Sequence, residues 1–164
     1  MVKRVIIAAL VFLCCMSMGC TLDNRESLDQ PDYSSISGMW TVSGVLYEGK
    51  LIELSQYEQI AKMYDAILLK IEEDGSFLYI DYVFYEGQCQ QHNENEFILP
   101  VSRRYTLDFV DGEVQEIEKD NSTEKRYRIL VVDEGVINMA AIDPETGLES
   151  ADIMPMQLKR QTGK

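Results

Sequence analysis

The chain has 164 residues, with 15 Lys+Arg, 28 Asp+Glu and one His, a formal net charge of −13. With 46% hydrophobic and 26% charged residues it has the composition of one folded domain plus a tail, and it is too short for two ordinary domains. The negative charge excludes nucleic acid as a partner, because a phosphate backbone needs a basic face, and it excludes an electrostatic grip on anionic lipid.

The first twenty residues read as an address. Lys3 and Arg4 give a positive start, residues 5–18 carry no charge, and Ser17-Met18-Gly19-Cys20 follows. A charged start, a short apolar stretch and small residues at the cut describe a secretory signal. The uncharged stretch is short of the roughly 20 apolar residues that a spanning helix needs. The segment resembles a bacterial lipoprotein signal, in which Gly before an invariant Cys marks cleavage and lipidation. Ser17 stands where that family usually has Leu. The resemblance implies that residues 1–19 are removed and that Cys20 becomes an acylated, palmitate-bearing N-terminus. The chain would then be held on a membrane of the cell envelope, facing the periplasm or the exterior. The plainer alternative is a secreted protein cut near Gly19. Loss of Lys3 and Arg4 takes the net charge from −13 to −15 and leaves Cys89 as the thiol of the folded part, so no internal disulfide can form there.

Residues 20–36 read as a lipidated Cys followed by a tether. The stretch from Thr21 is polar, is broken by Pro31 and has no sustained period. Sixteen residues reach at most about 55 Å when stretched.

Residues 37–161 read as the folded domain, and from Gly38 onward apolar residues recur at every second position, the pattern of strands with one buried face. The expected inward rows are Trp40, Val42 and Leu46; Ile67, Leu69 and Ile71; Leu78, Ile80, Tyr82 and Phe84; Tyr105, Leu107 and Phe109; Tyr127, Ile129 and Val131; and Met154, Met156 and Leu158. The apolar run 136–142 and weaker segments at 97–101 and 114–117 add further strands. Asp74-Gly75 and Asp111-Gly112 read as tight hairpin turns, because Gly accepts the positive φ they require. Glu86-Gly87, Asp133-Glu134-Gly135 and the stretch from Pro144 to Gly147 read as further bends, and Asn121-Ser122-Thr123 as a turn. Tight turns impose antiparallel pairing. The expected fold is therefore all-β, an up-and-down antiparallel meander of 8–9 strands that removes its edges by closing into a barrel. Residues 55–65 break the rhythm. Ile60, Met63 and Tyr64 fall at helical spacing, with Ser55 and Glu58 in a capping-box arrangement. One short helix is expected between the first and second strands, either as a lid on the barrel or as a plug of its core.

Gly38-Met39-Trp40, placed before such a meander, resembles the Gly-x-Trp signature of lipocalins and bacterial lipocalin-like domains. The resemblance implies that Trp40 closes one end of the barrel and that Arg160, from the last strand, packs across its indole. The row of aromatics under the expected helix points to a small apolar or amphipathic ligand at the barrel mouth, with Tyr79, Tyr82, Phe84, Tyr105, Phe109, Met63 and Tyr64 as the candidates to line its pocket. A small barrel is either filled by its own side chains or just wide enough for one ligand. A filled barrel would instead be an acidic interaction module for another envelope protein.

Chemistry beyond binding has little support. Cys89 and His92, followed by Glu94 and Glu96, are the nearest approach to a metal cluster. A closed zinc site needs about four convergent ligands, so a polar surface loop is the expectation and no metal or cofactor is assigned. Cys89 with His92 lacks an orienting third group for nucleophilic catalysis. No phosphate loop, nucleophile elbow or metalloprotease pattern is present, and no enzymatic role is expected.

Overall fold

The structure, a computed structural model, describes residues 31–120 and 124–162. The signal segment, Cys20, the first part of the tether and the Asn121-Ser122-Thr123 turn lie outside the described residues. No helix among the described residues is long and apolar enough to cross a membrane.

Among the described residues the chain forms eleven strands and one α-helix. In order these are β1 (Gly38–Tyr47), β2 (Lys50–Glu53), α1 (Glu58–Tyr64), β3 (Leu68–Ile71), β4 (Ser76–Asp81), β5 (Val83–Gln88), β6 (Gln90–Asn93), β7 (Glu96–Val110), β8 (Glu113–Glu118), β9 (Arg126–Asp133), β10 (Val136–Ile142) and β11 (Met156–Arg160). Each neighbour pair is antiparallel, and β11 returns to pair with β1 through Trp40 and Arg160, among others. The closed wall is β1-β3-β4-β5-β7-β9-β10-β11, an eight-stranded barrel. Three short strands are annexes: β2 doubles back on β1, and β6 and β8 each pair with β7. The helix therefore lies between the first and second staves of the wall. Closure matters because an open sheet this long would leave unpaired N–H and C=O groups along its edges.

The registers define two ends. Gly38 pairs with Ile71, so β1 starts beside the Asp74-Gly75 turn, and the Asp133 turn and Arg160 lie at that same end, the floor. Tyr47, the β4–β5 turn, the β7–β8 turn and α1 lie at the other, the rim. The expected inward row Ile67, Leu69 and Ile71 is buried, as are Tyr127 and Ile129.

Four expectations change. The row Leu78, Ile80, Tyr82 and Phe84 spans a chain reversal: Asp81 pairs with Val83, and Tyr82 is the turn between them, at φ 55°. Both faces of β4 are apolar, so alternation could not choose between them. Phe77, Tyr79 and Tyr85 point inward instead. In β1 the ladder to β11 slips between Val42 and Gly44, which turns Val45 inward and leaves Leu46 half-exposed. Glu86-Gly87 is no bend but an irregularity inside β5. A β-carbon on Gly87 would collide with the Pro100 carbonyl oxygen, so only glycine lets β5 approach β7 this closely. The capping box fails because a single 3-10 turn (Leu54–Gln56) absorbs Ser55, and α1 starts after Tyr57 with no side-chain cap.

The tether expectation is also shortened. Residues 31–36 belong to the folded unit, which begins at Pro31. Tyr33 and Ile36 are buried in the core, and the Tyr33 hydroxyl donates to the Cys89 carbonyl at 2.8 Å. Two apolar side chains at a spacing of three, inside a polar stretch, gave no periodic signal.

Candidate functional site

The floor is sealed by a short chain of contacts. Trp40 is fully buried, and its indole N–H donates to the Ile36 carbonyl at 2.8 Å. The Arg160 guanidinium lies 4.8 Å from the centre of the Trp40 ring. Its stem passes 3.6 Å from where a β-carbon of Gly38 would sit, and its Nη2 reaches the Ser35 carbonyl. Gly38, Trp40 and Arg160 thus meet at one place, and the chain entering from Pro31 is stitched over them.

Above the floor the lumen is full. A void wide enough for water would leave its lining accessible, yet Trp40, Leu69, Phe97, Leu99, Ile129 and Leu158 are all 0% exposed. Nearer the rim an aromatic trio fills the width. Tyr79 stacks on Tyr85 with centroids 5.4 Å apart, and Tyr127 meets Tyr79 edge-on at 5.0 Å. Burial pushes the Tyr79 and Tyr127 phenols well above the ordinary range, which keeps them neutral. The Lys125 ammonium caps the trio, 5.1 Å above the Tyr85 ring.

The candidate pocket residues do not converge on a lumen. Phe84 and Tyr105 stack on each other at 5.0 Å on the outer face of the wall. Tyr82 and Phe109 are the most exposed of the set, at 72% and 71%. Met63 is exposed on α1, and Tyr64 packs against the core. Of the aromatic candidates on β4 and β5, Tyr79 does face inward, where it is packed with Phe77 and Tyr85, two residues that the sequence pattern does not single out. Sizeable hollows do exist outside the barrel. One of about 650 Å³ lies over Lys70, Leu78, Glu86 and Pro100, and one of about 470 Å³ lies over Leu46, Arg128, Leu130 and Asn138.

The outer face around Tyr105 is the most organised polar surface in the described chain. Arg103 sits over the Tyr105 ring at 4.4 Å and reaches Glu116 at 2.5 Å, Glu118 at 2.7 Å and Glu86 at 3.3 Å. The Tyr105 hydroxyl donates to Glu86 at 2.8 Å. Desolvation, and then that carboxylate, push the Tyr105 phenol up to about 12. Glu116 and Glu118 hold the Arg103 guanidinium firmly protonated. One cation here faces three carboxylates.

Beyond this cluster the β7–β8 hairpin runs past the rim. Val110 pairs with Glu113 across a two-residue turn, with Asp111 at φ 54° and Gly112 at φ 87°. Two positive φ values in succession define the turn that matches strand twist, and Gly takes the second without strain. Leu107, Phe109, Val114 and Ile117 all remain exposed on this hairpin.

Cys89 and His92 part company. Cys89 is buried at the floor, where desolvation pushes its thiol up to about 12, whereas His92 is exposed on β6. Among the described residues no three His, Cys, Asp or Glu side chains gather as a metal site would require. No family model, no curated protein and no solved structure matches this chain.

Proposed function

We propose that this chain is a lipid-anchored, lipocalin-like module of the bacterial cell envelope whose barrel is filled, and which works by presenting its rim to a protein partner. One observation carries the reading: the lumen is occupied by the protein's own side chains, while most of the large apolar side chains left in water lie at the rim, with Met39, Leu130 and Val132 exposed toward the floor. Those at the rim include Tyr57, Ile60 and Met63 around α1, Tyr82 on the β4–β5 turn, Leu107, Phe109 and Val114 on the hairpin, and Leu148, Ile153 and Met154 before β11. Exposed apolar side chains gathered in one region mark interaction surfaces. The described chain enters at the floor, the end opposite this rim. Acidic side chains among these residues suit a partner with basic groups, and encounter between them weakens with salt.

Site-specific photo-crosslinkers test this in cells. A crosslinker at Phe109 or Met63 is expected to capture an envelope protein, and one at His92 near the floor is not. Cys20→Ala is expected to release the protein from membranes and lower capture. Equal capture from His92, or none from any rim position, overturns the reading. An apolar dye bound with one-to-one stoichiometry inside the barrel would overturn it in favour of ligand carriage.

A further inference from the structure

We propose that the outer edge of β8 is a docking strand for an extended segment of a partner protein in which basic and apolar residues alternate. This deepens the reading above and rests on it. β8 pairs with β7 on one side, and its six residues are all exposed. The pairing decides which backbone groups are free. The Lys119 N–H donates to the Arg104 carbonyl at 2.9 Å, and Val110 faces Glu113 across the two-residue turn. Hydrogen-bonded pairs alternate along an antiparallel ladder. The bonded pairs are therefore Thr106 with Ile117, Asp108 with Gln115, and Val110 with Glu113. Val114, Glu116 and Glu118 turn their N–H and C=O groups away from β7, toward water. An edge of this kind can accept one more strand through main-chain hydrogen bonds.

The side chains select what that strand must carry. Val114, Glu116 and Glu118 share one face of β8, and Gln115 and Ile117 share the other. Arg103 is the cation paired with Glu116 and Glu118, and it also serves Glu86, so negative charge remains in excess. Lysine or arginine on the first face of an added strand would meet that excess, and apolar residues on its second face would cover Ile117. A second copy of this chain fits poorly, because β8 against β8 sets glutamates against glutamates. A lipid surface fits poorly too, since Asp108, Asp111 and Glu113 surround the hairpin tip.

The test uses the full-length chain and an acetylated peptide of alternating lysine and valine. Backbone amide exchange is followed by NMR with and without the peptide. New protection is expected at Val114, Glu116 and Glu118, with Gln115 and Ile117 little changed because they are already bonded. Glu116→Pro removes a free N–H without touching the ladder to β7, and is expected to weaken peptide binding by about tenfold or more. Glu116→Gln, which keeps the N–H and drops the charge, is expected to weaken it less and to lower its salt dependence. Peptide binding without protection at those three amides overturns the proposal even if Glu116→Pro fails to fold. Protection that appears with protein concentration alone favours a second copy and overturns it, as does protection induced by anionic vesicles. Capture of a partner at Phe109 with the β8 amides unchanged leaves the rim reading standing and removes only the docking strand.

Discussion

At the floor of the barrel Trp40, Ile36 and Phe97 have lost all contact with water, whereas at the rim Phe109, Tyr82 and Val114 keep most of theirs. Both ends use aromatic and branched side chains, so composition does not separate them. Closure does. At the floor the wall is continuous, the chain from Pro31 folds over it, and Arg160 spans the indole. At the rim β7 and β8 outrun the wall, and a two-stranded ribbon has no second layer to bury its apolar face. The same residue types therefore stabilise one end and remain available for contact at the other.

That contrast can be broken by experiment. Trp40→Ala should have the largest effect, a loss of about 3–5 kcal/mol for a fully buried large aromatic, read by urea denaturation. Arg160→Ala should cost about 1–2 kcal/mol, combining loss of the ring contact with loss of its hold on the Ser35 carbonyl. Arg160→Lys should recover part of this. A smaller effect should be confined to alkaline pH. The Cys89 thiol is raised from 9.0 to about 12 in the fold, so the neutral form is favoured there. Its contribution is fully present below pH 9 and is lost as pH rises toward 12. Denaturation at a series of pH values should show stability level from neutral pH to pH 9 and falling above it, with a later onset in Cys89→Ala. Phe109→Ala should change stability least, by under about 0.5 kcal/mol, the range for surface positions. If Phe109→Ala were as costly as Trp40→Ala, the two ends would not differ as described.

The sequence made the floor more legible than the rim, for physical reasons. Lys70 and Glu72 flank Ile71 and mark the outward face of β3, so Leu69 and Ile71 are assigned inward although Leu68 is apolar. Asp74-Gly75 and Asp111-Gly112 announced their turns because few other pairs tolerate the backbone. β4 could not be oriented, since Phe77 and Tyr79 compete with Leu78 and Ile80 and both rows are apolar. The segments at 97–101 and around 105–109 read as separate strands but are one, β7, which passes from the barrel wall into the hairpin. No local pattern shows where a long strand leaves its neighbours, because that depends on where β5 and β9 end. The exposure of Leu107 and Phe109 followed from that length and not from their own identity. Tyr33 and Ile36 were hidden by their polar surroundings, although burial of two large side chains explains why the folded unit starts at Pro31.

The knot of contacts around Tyr33 has a mechanical consequence. A pull applied at Pro31 does not act on a free thread. It loads the Tyr33 hydroxyl against the Cys89 backbone, the Ile36 carbonyl against the Trp40 indole, and the Ser35 carbonyl against Arg160. Tension applied there is shared among the β5–β6 junction, β1 and β11 before it can peel β1 away.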